Sequence, residues 1–201
     1  MSIFGDKTFW AGFMKRVRNN AKYREKVRSV LLSRDAANIN FTALGITIRG
    51  TIFADIAGDM IADKATRHVR VNNDYDDGGA AYYRETNTME VGLDAVNSRI
   101  WKGYVVHEAV HAWIDKAKLK PMMVDNEAVA YIAQAIFYRR VGVGRQRFST
   151  PHYLSARNVG NYFINGQKPP DALFTKLKAD ILSSRTYSHL TLTTVDEAND
   201  G

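Results

Sequence analysis

His107-Glu108-Ala109-Val110-His111 puts two imidazoles four residues apart with a carboxylate beside the first. On a helix, residues four apart stand one turn above each other, so both rings can meet one metal ion while Glu108 lies at its flank. With five histidines in 201 residues, chance would produce this pattern on the order of 0.004 times, which makes accident a poor explanation. Val105, Val106, Val110 and Trp113 supply an apolar backing, and neither Pro nor Gly interrupts the five residues. The chain has no cysteine. That excludes disulfides, iron–sulfur ligation and a thiol nucleophile, and leaves His, Asp and Glu for any metal chemistry. A catalytic zinc takes three protein ligands and leaves a fourth position open, so a third ligand must come from outside the motif. Asp115, Asp125 and Glu127 follow it, and Glu127 is the only glutamate between Glu108 and Glu197.

The elements around the motif follow from periodicity. Trp10, Phe13, Met14, Val17, Ala21, Val27, Val30 and Leu31 recur at mostly helical spacing, predicting an amphipathic helix over about 8–32. Lys15 to Arg34 carries eight basic residues against Glu25 alone, as large an excess as the whole net charge of +7. Residues 38–50 give no clear pattern, and 51–66 suit a second helix. His68 to Val71 alternates as a strand does, and Ala81 to Glu85 can pair with Met89 to Leu93 around Thr86-Asn87-Thr88. Helical spacing returns from Val96 through Ile114 until Lys118 and Pro121, then covers about 124–139, 152–163 and 171–182. In the helix over 124–139, Glu127, Tyr131, Gln134 and Tyr138 form a polar stripe opposite Val129, Ile132, Ala133 and Ile136. That stripe predicts the side facing the metal.

The motif taken with Asn126-Glu127-Ala128-Val129-Ala130 resembles the gluzincins, metallopeptidases that carry H-E-x-x-H on one helix and a glutamate ligand on the next. The likeness covers about 69–139. It implies a compact zincin-like α+β domain, with a small, mainly antiparallel sheet followed by the motif helix and the Glu-ligand helix, and extra N- and C-terminal helices. It further implies one Zn2+ per chain held by His107, His111 and Glu127, and a protein or peptide as substrate. Glu108 is then the general base, taking a proton from the attacking water and handing it to the leaving amine. Tyr131, His152 and Tyr153 compete as the second donor to the developing oxyanion. Many gluzincins have a carboxylate four residues after the glutamate ligand to orient a histidine. Here Tyr131 occupies that place, which leaves Asp115 as the candidate support.

These readings divide the chain into an N-terminal helical region (1–66), a catalytic core (67–140), a C-terminal helical region (141–193) and a frayed tail (194–201) within one globular unit. No apolar run reaches the roughly 18 residues of a spanning helix. No Sec-type signal is evident either, so the expectation is a soluble protein, cytoplasmic or exported by another route, such as a protein-cleaving effector toxin. Two other classes compete: a zincin-fold binding protein whose metal does not turn over, and a nucleic-acid or membrane-surface module using the basic helix. The second lacks aromatic stacking signatures and phosphate-cradling Gly-rich loops, so nucleic acid is not the expected partner.

Overall fold

The computed structural model describes residues 21–60, 68–71, 79–92, 98–144 and 150–195. The fold is α+β. Its first helix, α1, runs through 21–31 of the described residues and buries Val27, Val30 and Leu31. Trp10, Phe13, Met14 and Val17, expected on the same stripe, lie outside the described residues. The short α2 (Arg34–Ala37) is capped by Ser33, whose side chain accepts the Ala36 N–H.

The segment without a clear pattern is a hairpin. Strands β1 (Phe41–Ala43) and β2 (Ile46–Ile48) pair antiparallel, joined by Leu44 and Gly45 with φ of 54° and 78°. Positive φ at both central residues is the turn whose twist matches a two-residue hairpin loop, and Leu44 accepts a conformation that ordinarily selects Asn or Gly. Phe41, Ala43, Ile46 and Ile48 are buried, while the Thr42 and Thr47 hydroxyls meet outside at 3.0 Å. Helix α3 (Gly50–Asp59) follows at once. A Cβ on Gly50 would stand 1.9 Å from the Ala37 carbonyl oxygen, so only glycine lets α3 start against the end of α2.

The second sheet has the order β3-β5-β4, with β3 at His68–Val71, β4 at Ala80–Tyr83 and β5 at Thr88–Val91. The β4–β5 pair is the predicted antiparallel hairpin, and β3 adds to β5 in parallel, making the sheet mixed. Gly92 donates to the Gly79 carbonyl, so in the alternating antiparallel ladder Ala80 and Tyr82 turn their backbone groups away from β5. That outer edge of β4 packs against α4.

Helix α4 (Arg99–Lys116) begins at Ser98, whose side chain accepts the Trp101 N–H at 3.0 Å. It packs against α5 (Met123–Arg140), which also contacts α6 (Pro151–Ile164) and α7 (Asp171–Leu182). Surrounded on these sides, α5 buries most of its length from Val124 to Tyr138, with Tyr131, Gln134 and Tyr138 of the polar stripe buried and Glu127 half-buried. Gly103 makes the close crossing possible: a Cβ there would fall 2.1 Å from the Tyr138 ring. Beyond a 3-10 turn at Arg185–Tyr187, the chain returns to the start of α5, where Thr194 accepts the Met123 N–H at 2.7 Å and Val195 forms a bridge with Met122. The first two residues of the expected frayed tail are thus fastened. No helix among the described residues is long and apolar enough to cross a membrane.

Candidate metal centre

Helices α4 and α5 run antiparallel, so the step of one turn between His107 and His111 on α4 faces the step from Gln134 back to Glu127 on α5. The two imidazoles lie with centroids 4.8 Å apart and planes at 73°. Glu127 comes between them: its Oε2 is 3.4 Å from His107 Nε2 and its Oε1 3.6 Å from His111 Nε2. One ligand atom from each residue lies within 4.8 Å of the others. A tetrahedral zinc with bonds of about 2.0–2.1 Å needs ligand atoms about 3.3 Å apart, so the carboxylate already spans nearly the required edges. Glu127 Oε2 is buried and has no well-formed hydrogen bond. A buried carboxylate oxygen facing two ring nitrogens is the kind of unmet acceptor that a cation satisfies.

Hydrogen bonding sets which ring nitrogen is offered. The Ile100 carbonyl can only accept, so the Tyr138 hydroxyl donates to it, at 2.8 Å. The Tyr138 oxygen then accepts from Gln134 Nε2 at 2.9 Å, which turns Gln134 Oε1 toward His107 Nδ1, 3.2 Å away. An amide oxygen cannot donate, so Nδ1 carries the proton and the Nε2 lone pair faces the centre. His111 is held alike, its Nδ1 donating to Asn126 Oδ1 at 2.8 Å. The polar stripe of α5 is a proton-directing chain anchored on one backbone carbonyl.

The ring support expected from Asp115 comes instead from Asn126 and Gln134. Asp115 accepts the Tyr82 hydroxyl at 2.7 Å, and Asp125 pairs with Lys178 at 2.9 Å, leaving Glu127 as the carboxylate at the histidines. The sequence held a trace of Gln134, a polar residue two turns beyond Glu127 on an apolar helix. For Asn126 it offered only adjacency.

Glu108 is buried beside the triad. Burial, reinforced by the nearby Glu127 charge, pushes its carboxyl from 4.5 up to about 8, against the opposing pull of His111 and of a hydrogen bond from the Tyr82 N–H. That N–H is on the outward edge of β4, so the sheet reaches the centre through its backbone. Glu127 goes the other way. Burial alone would raise it, but in the metal-free protein the charge that the facing rings of His111 and His107 carry when protonated holds it down at about 2. Two carboxylates in one pocket are thereby set far apart in acidity.

No family model, curated protein or solved structure matches this chain. Its own geometry therefore carries the functional argument.

The remaining sequence candidates form an aromatic wall. The Tyr131 ring packs edge-on against His107 at 4.5 Å and tilts against His152 at 4.8 Å. His152 is thus brought to Tyr131, with its Nε2 3.2 Å from the Thr150 hydroxyl and its buried Nδ1 without a hydrogen bond. Burial first, then the neighbouring His107, lowers its pKa. Tyr153 lies 5.1 Å from the Tyr131 ring, and burial raises the pKa of both phenols. Tyr187 gave no signal in the sequence, yet its hydroxyl is 2.8 Å from that of Tyr131. A lone tyrosine on a three-residue turn has no periodicity to mark it.

Proposed function

We propose that this protein is a zinc-dependent metallopeptidase acting on peptide bonds of proteins or peptides. One observation carries the reading: two Nε2 lone pairs and the Glu127 carboxylate converge, with the separate carboxylate of Glu108 beside them and outside the ligand set. Two neutral imidazoles and one carboxylate form a three-ligand donor set of the catalytic type, which suits zinc and keeps a coordination position free. When bound there, zinc supplies Lewis acidity, which acidifies water and polarises a carbonyl.

The chain's own residues do the rest. Gln134 and Asn126 hold the two rings in one tautomer and orientation. Glu108 takes a proton from the attacking water and delivers it to the leaving amine. Burial raises its proton affinity above that of a solvated carboxylate, and a zinc ion bound beside it would draw it back toward the ionised form that can accept a proton. Val105, Val106, Ala109 and Val110 are fully buried and keep bulk water from the back of the site.

The test uses new protein termini in a cell extract treated with zinc-loaded protein. Wild type should generate specific cleavages, and Glu108→Gln, equally zinc-loaded, should cleave about 10²- to 10⁴-fold more slowly. Identical behaviour of the two would sink the enzyme reading and favour a binding protein.

A further inference from the structure

His107 is held at Nδ1 by Gln134, 3.2 Å away, and one hydrogen bond fixes a point of an imidazole but not its plane. The ring can still swing about that contact unless something packs against it. Two described rings do. His111 stands at 4.8 Å with planes at 73°, and Tyr131, one turn after Glu127 on α5, stands at 4.5 Å with planes at 68°. His111 belongs to the triad itself, so the neighbour outside it is Tyr131. The placement of Tyr131 comes in turn from the elements that follow α5. His152 and Tyr153 of α6 lie 4.8 and 5.1 Å from its ring, Tyr187 of the 3-10 turn stands perpendicular to it at 6.1 Å, and the Tyr131 and Tyr187 hydroxyls are 2.8 Å apart.

We infer that Tyr131 is a positioning residue of this metal centre: its ring sets the plane of the His107 imidazole, and its hydroxyl bond to Tyr187 sets the ring. Edge-on packing is directional, because the charge distribution of an aromatic ring favours a near-perpendicular neighbour over a face-to-face one. An imidazole turned out of this arrangement would carry its Nε2 lone pair away from Glu127 Oε2, which now lies 3.4 Å from it. Tyr131 is 8% exposed, so its hydroxyl needs a partner inside the protein, and the phenol of Tyr187 supplies one without bringing a charge beside the metal ligands. The turn that carries Tyr187 is itself fastened. The Tyr187 N–H donates to the Ser184 carbonyl, its own carbonyl accepts from Leu190, Leu190 is buried, and Thr194 accepts the Met123 N–H at the foot of α5. The elements after α5 thus reach one histidine of the triad through a single ring. This role differs from donation to an oxyanion, which would need the Tyr131 proton at the substrate.

The inference rests on the reading that the triad binds a metal, so the test follows metal binding and not turnover. Wild type, Tyr131→Leu, Tyr131→Phe, Tyr187→Phe and the double variant Tyr131→Phe/Tyr187→Phe are titrated with Zn2+ against a chelator and with Co2+ followed by visible absorption, and the metal-free proteins are melted. Tyr131→Leu, which removes the ring, should bind zinc about 3- to 10-fold more weakly and shift the cobalt bands. Tyr131→Phe keeps the ring and should lose less. Tyr187→Phe breaks the same hydroxyl pair, so it should shift the cobalt bands as Tyr131→Phe does, and the double variant should fall no further than either. Wild-type zinc affinity and cobalt spectrum in Tyr131→Leu overturn the inference whatever its melting temperature, because a purely structural tyrosine would lower stability alone. Should Tyr131→Leu fail to fold, the Phe variants decide. Cobalt bands at their wild-type positions in Tyr187→Phe, or a loss there greater than in Tyr131→Phe, overturn it as well. Wild type that binds neither metal ends both this inference and the metallopeptidase reading, whereas wild type that binds zinc and cleaves no protein ends the second alone.

Discussion

In the α4–α5 pair, the polar side chains beside His107 are buried and bonded to one another, from the Ile100 carbonyl through Tyr138 and Gln134 to His107. In α1, polar side chains are numerous, but most of their described partners lie on the helix itself. Arg28 pairs with Glu25 one turn earlier and reaches the Ala57 carbonyl, Lys26 stands 5.6 Å over the Tyr23 ring, and Lys22 is exposed. A buried polar group left without a partner forfeits its hydration, whereas an exposed charge loses almost nothing when its partner leaves. The polar groups of α4 and α5 therefore determine a geometry. Those of α1 determine mainly a surface potential, and its contribution to the fold comes from Val27, Val30 and Leu31.

If that contrast holds, damage to the two regions should differ in kind as well as size. The largest effect is expected at the metal: His111→Ala should abolish stoichiometric zinc in elemental analysis of protein reconstituted at neutral pH. Retention of one zinc per chain would show that the triad is not the site. In α1 the comparable loss is one of stability. Leu31→Ala, at a position 1% exposed, should cost about 2–5 kcal/mol in denaturant unfolding while zinc content per folded molecule stays unchanged.

An effect opposite in sign, vanishing toward pH 4.5, is expected for Glu108 in the metal-free protein. Its folded pKa of about 8 exceeds the ordinary 4.5, so folding favours the protonated form, and stability falls as pH rises from about 4.5 to 8. Glu108→Gln removes that dependence. The metal-free variant should melt above metal-free wild type at pH 8, by a margin that grows by at most about 1.4 kcal/mol for each pH unit above 4.5, and the margin should close as pH returns to that value. A gap that widens on acidification would refute the assignment. The smallest effect belongs to the basic surface. Lys22→Glu with Lys26→Glu should change stability by no more than about 0.5 kcal/mol, whereas salt-dependent binding to anionic vesicles or nucleic acid that vanishes in this variant would give α1 a recognition role of its own.

The sequence by itself determined what depends on neighbours a few residues apart. His107 and His111 share a helix face because 3.6 residues make a turn, and the Ala80–Val91 hairpin and the helix over 171–182 stand where periodicity put them. The hairpin at 41–48 was legible in principle, since Phe41, Ala43, Ile46 and Ile48 alternate with threonines around Gly45, but three-residue strands give the pattern too few periods to stand out. Tertiary structure decided which polar residues meet. Asn126, Gln134 and Tyr187 join the centre, and Asp115 and Asp125 are drawn to Tyr82 and Lys178, because a buried donor or acceptor is assigned by the element packed against it. The helix period could place a face of α5 opposite the metal. Only the crossing of α4 and α5, with Tyr138 against the backbone of Gly103, fixed which nitrogen of His107 is left bare.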